Sequence, residues 1–165
     1  MFIPEIPNNS ITKELKKLTR LCEKKAKDYG VDSSWFKPAK FEKDIQKWEK
    51  DNNIILPDTY KEWLLFSEES LIRNNVARFY KLDDLKFNEL KDEPDLIVIG
   101  EIYGDGELIC LSKVENVFYI FDHGDLEEKK DFRDIILEII RILEEKSSLS
   151  PKMQDLLMKM VENKK

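Results

Sequence analysis

Between Asp95 and Asp122 lie three short apolar runs, DLIVIGEIY, ELICLS and NVFYIFD, parted by only a few polar residues. This stretch restricts the fold more than any other. Runs rich in Ile, Val, Phe and Tyr and bounded by polar turn residues read as strands. Connections this short turn a chain back on itself; a parallel crossover needs a dozen or more residues. The stretch therefore predicts an antiparallel β-meander. Asp105-Gly106 suits a two-residue hairpin turn, and Lys113 to Asn116 a longer one. On that geometry Ile102 falls opposite Ile109, and Glu107 opposite Asp122. Val98, Ile102, Ile109, Leu111, Phe118 and Ile120 then share a core face. Glu101, Tyr103, Leu108, Cys110, Tyr119 and Phe121 share the other, a mixture that fits either an interface or a layer covered by helices.

Helical periodicity surrounds the meander. Ile11, Leu15, Leu18, Cys22, Ala26 and Tyr29 recur at helical spacing between Ser10, a candidate N-cap, and Gly30, a candidate C-terminal stop. The opposite face is rich in lysine. A second helix is predicted in PAKFEKDIQKWEKDNNI, with Phe41, Ile45 and Trp48 on one stripe and Asn52-Asn53 at its end. Pro57 suits the first turn of a third, which carries Tyr60, Trp63, Leu64 and Phe66 for burial. VARFYKL is a further strand candidate, and DDLKFNEL a helical turn. DFRDIILEIIRILEEK is strongly amphipathic through Phe132, Ile135, Ile136, Ile139, Ile140 and Leu143. SPKMQDLLMKMVENKK predicts a last helix with Met153, Leu156, Leu157 and Met160 on its apolar side. The fold class expected is α+β, an antiparallel meander packed with helices. The 165 residues suit a single domain: a lead-in and basic helix over 1–40, an α+β core over 41–146 and a C-terminal helix over 147–165.

Charge is unevenly spread. Residues 1–40 hold nine Lys/Arg against five Asp/Glu, whereas residues 92–128 hold eleven acids and a single base, Lys113. Such a field repels nucleic acid and favours basic partners. No apolar run approaches the roughly 20 residues that span a bilayer. The opening MFIPEIPNN lacks the basic and hydrophobic regions of a secretory signal, so a cytoplasmic location is expected. Cys22 and Cys110 match no zinc or redox spacing and read as reduced, small hydrophobes.

The acids around Gly104-Asp105-Gly106 admit several chemistries. A phosphate cradle lacks the glycine count, the following helix and the lysine of a P-loop. Glu107, Asp122, Asp125 and His123 offer oxygen ligands, yet no EF-hand spacing and no zinc set. Like charges opposite one another across strands are destabilising, so such acids splay or meet something basic. HGD reads more simply as a polar turn. A cysteine in mid-strand among acids carries little thiolate, which argues against a Cys110–His123 pair. No catalytic set, metal or cofactor is expected.

The order of elements, IQKWEKDNNIILPDTYKEWLLFS, FYKLDDL, LIVIGEIYGDGELICLS, VFYIFDHGD and FRDIILEII, resembles the SUKH superfamily, the family of a yeast cell-wall regulator and of many bacterial immunity proteins. The resemblance runs from Phe41 to Leu143. Its most specific parts are the Leu56-Pro57-x-x-Tyr60 entry and the Ile99-Gly100 strand leading into the Gly104/Gly106 turn. The family's Asn-Gly near the end of the third helix is replaced here by FSEESLI. The resemblance implies an α+β fold, no enzymatic activity and, for a bacterial protein, immunity against a polymorphic toxin, often a nuclease. The fungal type of regulatory scaffold is the alternative, although such members carry long disordered extensions. Binding residues vary with the toxin, so none carries over from the family. The residues themselves nominate Glu101, Tyr103, Asp105, Glu107, Asp122 and Asp125, the acids to meet Lys/Arg of a basic nuclease toxin and Tyr103 to serve as an apolar anchor.

Overall fold

The computed structural model of the protein describes residues 1–29, 34–73, 76–103 and 106–145. The elements, in chain order, begin with α1 (Thr12–Tyr29), β1 (Trp35–Phe36), α2 (Glu42–Asn52), α3 (Asp58–Leu64), β2 (Ser70–Ile72) and β3 (Ala77–Phe79). A single 3-10 turn (Leu82–Asp84) follows, then β4 (Lys86–Phe87), β5 (Leu96–Ile102), β6 (Glu107–Ser112), β7 (Phe118–Asp122), β8 (Asp125–Lys129) and α4 (Phe132–Glu145). The fold is α+β. Its eight strands form one sheet in the order β1-β2-β3-β5-β6-β7-β8, with β4 also paired to β5, and every pairing is antiparallel.

The helices form because their apolar positions recur on one side. Phe132, Ile135, Ile136, Ile139, Ile140 and Leu143 of α4 are all buried, as are Tyr60, Trp63 and Leu64 of α3. Phe132 is the hub of the core. Its ring centroid lies 5.0 Å from Tyr60, 5.7 Å from Trp63, 5.5 Å from Phe79 and 5.4 Å from Phe118. One ring thus joins α3, α4 and two strands, and tilted or edge-on aromatic pairs add to the burial itself. Trp48 of α2 stacks on Phe87 of β4. α1 packs along α4, reinforced by Glu14–Arg133 and Lys17–Glu144 ion pairs.

Several local expectations are corrected. Phe41 is not on the buried stripe of α2; it precedes the helix, stands 69% exposed and lies under the Lys43 ammonium. Ser10 does not cap α1, since its hydroxyl donates to Glu62. Asn9 instead accepts the Ile11 N–H through its side chain. The β5–β6 connection takes residues 103–106 rather than two residues, so Ile102 pairs with Glu107 and not with Ile109. Tyr103 and Gly106 both adopt positive φ (66° and 100°) to make that turn. A bulge between Val98 and Gly100 then shifts the register. Ile109 and Leu111 face the core, and their partners are Gly100 and Ile97. Val98 pairs with Cys110 and lies on the other face, against the expectation. Gly30, Gly104, Asp105 and the expected C-terminal helix lie outside the described residues.

Candidate partner-binding surface

The strands of the meander alternate in direction, so the 103–106 turn and the His123-Gly124 turn close at the same end of the sheet. β6 and β7 pair as Leu108↔Phe121 through Leu111↔Phe118. Carried one residue further, this register sets Glu107 beside Asp122, as the sequence predicts. Across the next turn Asp122 pairs with Asp125. His123 (φ 49°) and Gly124 (φ 103°) form that turn in the left-handed region, which matches the twist of a tight hairpin. The His123 Nδ1 hydrogen-bonds Asp122. That bond and the negative charge of Asp122 raise the imidazole pKa above its ordinary value, with Glu107 adding to the effect. Three acids and one cationisable ring therefore share one exposed corner.

The other nominated residues are placed differently. Glu101 lies in β5 opposite Arg78 of β3 and accepts a hydrogen bond from the Tyr80 hydroxyl. Arg78 and Lys86 both stand over the Tyr80 ring, so two cations of the chain itself flank Glu101's partner. Burial, and then the Glu101 contact, push the Tyr80 hydroxyl well above its ordinary pKa. Tyr103 is not on that face as an open aromatic. Its hydroxyl donates to Glu138 of α4, whose carboxylate is held in turn by Arg141 at 2.6 and 3.1 Å. The Arg141 bonds, with help from Tyr103, lower the pKa of Glu138. Tyr103 thus ties the β5–β6 turn to α4. Asp105 lies outside the described residues.

The sequence reading placed Leu108 and Phe121 on the outer face but missed that their half-exposed apolar row continues onto β8. Glu101 pairs with Leu108, Leu108 with Phe121 and Phe121 with Leu126, so one row crosses four strands and ends on β8. Leu126 is 37% exposed. β8, with its DLEEK sequence, has no apolar alternation to announce a strand. The signal was the Gly124 of HGD, a hairpin turn that demands a returning strand. Apolar residues rimmed by charge are the usual make-up of a protein interface.

Cys110 is buried in mid-strand, paired with Tyr119, and burial pushes its thiol up to about 12. No group of three or more His, Cys, Asp and Glu side chains among the described residues is arranged to hold a metal ion. No helix among them is long and apolar enough to cross a membrane. A family model described as the SMI1 / KNR4 family (SUKH-1) matches residues 42–138, inside the span over which the resemblance was read. A comparison with curated proteins returns no match.

Proposed function

This chain belongs to the SMI1 / KNR4 family (SUKH-1), and from that premise we propose that it is an immunity protein that binds and inhibits a cognate polymorphic toxin. The toxin is a basic protein, a nuclease whose cleft is lined with the Lys/Arg that normally hold a polyanion. The immunity protein acts by occupancy rather than by chemistry. The single observation that carries the reading is the acidic corner of Glu107, Asp122 and Asp125; the Leu108–Phe121–Leu126 row is next along the strands but projects to the opposite face of the sheet. The charge steers and orients the encounter with a basic surface. Asp105, also nominated by the sequence, lies outside the described residues. Glu101 contributes less, because the Tyr80 hydroxyl already engages its carboxylate.

The test is capture of the tagged protein from its own cells, washed at low and at high salt, with mass spectrometry of what remains bound. One basic toxin-like protein, shed as salt rises and absent from a Glu107→Lys/Asp122→Lys/Asp125→Lys variant of unchanged circular dichroism, is the expected result. Retention of that protein by the triple variant would overturn the electrostatic mechanism. Recovery of several cell-wall or signalling proteins instead would favour a regulatory scaffold.

A further inference from the structure

The β8 strand ends the sheet, and its free edge has a definite polarity. The Ser112 N–H donates to the Val117 carbonyl at 2.9 Å, so Val117, Tyr119 and Phe121 bond towards β6. By alternation, Phe118, Ile120 and Asp122 bond towards β8, where their partners are Lys129, Glu127 and Asp125. Leu126 and Glu128 then turn their N–H and C=O groups away from the sheet. No backbone partner for these groups occurs among the described residues. The other end of the sheet is a two-residue strand, β1; β8 offers five residues, four of them exposed.

From this edge, and resting on the acidic-surface reading above, we propose that β8 accepts an extended, lysine- or arginine-bearing segment of a protein partner as an added antiparallel strand. Backbone hydrogen bonds to an exposed sheet edge supply affinity, and alternate side chains supply selection. Charge on an edge strand normally prevents pairing. Here the charge has one dominant sign: Asp125, Glu127 and Glu128 against Lys129, and Lys129 is already paired with Glu127 at 2.6 Å. Such an edge rejects acidic strands and admits basic ones. A second copy of this chain is disfavoured for the same reason, since two β8 strands would bring acids against acids. Residues of the added strand opposite Leu126 would extend the Leu108–Phe121–Leu126 strip. Those facing Asp125 and Glu127 would carry the positive charge.

The experiment uses the full chain and a blocked peptide of alternating lysine and valine, titrated by calorimetry at low salt. Its counterpart, N-methylated at every backbone nitrogen, keeps the charge and loses every donor. The added strand predicts binding of the first peptide and at least about tenfold weaker binding of the second, because several backbone hydrogen bonds are lost. Leu126→Pro gives an independent arm. It removes an N–H that points outward and leaves the β7–β8 ladder intact, so it should weaken the unmethylated peptide alone while circular dichroism stays unchanged. If that variant fails to fold, the two peptides on the unaltered chain still decide. Equal, salt-sensitive binding of both peptides would overturn the edge proposal and leave the acidic-surface reading standing. Binding of neither would overturn both. Sedimentation of the chain alone as a dimer that Leu126→Pro dissociates would make a second copy the occupant and overturn the basic partner.

Discussion

Asp122 and Asp125 stand directly opposite one another across the His123-Gly124 turn, with the His123 imidazole hydrogen-bonded to Asp122. Two like charges at a closing pair of a hairpin oppose its folding. On the function proposed above, a basic surface docking at this turn would relieve the repulsion. Asp125→Asn should therefore stabilise the free protein, by about 0.2–1 kcal/mol, and at the same time weaken capture of the partner. Chemical denaturation and the capture assay, run on the same preparation, check both halves. A variant that loses stability would show that the pair is not under electrostatic stress.

The turn also carries a pH dependence of known sign. Asp122 raises the pKa of His123 above its ordinary 6.5. A group whose pKa is higher folded than unfolded contributes stability that is full below the unfolded value and is lost as pH rises through the folded one. His123→Ala should lower the unfolding midpoint at about pH 5.5 and leave it unchanged at about pH 8.5. Asp122→Asn should remove the same dependence. Thermal unfolding at the two pH values reads the difference directly; an equal effect of His123→Ala at both would exclude a charge-based role.

Gly100 of β5 pairs with Phe79 of β3. A Cβ built there falls 2.3 Å from the Arg78 carbonyl oxygen and 3.3 Å from the Phe79 ring. The first of these is backbone, which cannot swing aside. Gly100→Ala should destabilise by about 1–3 kcal/mol or more, through loss of the Arg78–Glu101 and Phe79–Gly100 pairings. Urea unfolding measures it, and a wild-type midpoint would show that the strands can separate at no cost.

Tyr60 is only 1% exposed, and its hydroxyl has no hydrogen-bond partner among the described residues. An orphaned hydroxyl costs about 1–3 kcal/mol in an apolar site. Tyr60→Phe should therefore be neutral or stabilising, whereas Tyr60→Ala, which empties the space beside Phe118 and Phe132, should cost about 3–5 kcal/mol. Denaturant midpoints of the two variants separate the ring from its hydroxyl; a strongly destabilised Tyr60→Phe would point to an ordered water at that oxygen.

Much of the scaffold was legible because its signals are local. The stripe of α4, the Tyr60/Trp63 face of α3, the left-handed Asn53 ending α2 and the three meander strands follow from periodicity and turn chemistry within a few residues of each position. β1, β2, β4 and β8 were not legible. Each is five residues or fewer, too short or too charged to show a period, and exists because a neighbouring strand offers hydrogen bonds. Of the nominated residues, Glu107, Asp122 and Asp125 meet at one corner as the strand pattern implied. Tyr103 and Glu101 are drawn to Glu138 and Tyr80, partners distant in sequence.

What the sequence by itself determined is the antiparallel meander, the helices that cover one face of it and the placing of negative charge near its turns. These follow from side-chain period, turn length and composition. What only the tertiary structure decided is which face each residue of β5 presents, since that depends on a one-residue bulge beside Gly100. It also decided which edge of the sheet remains open. Strand order and register come from contacts between segments far apart in the chain, and no local pattern encodes them.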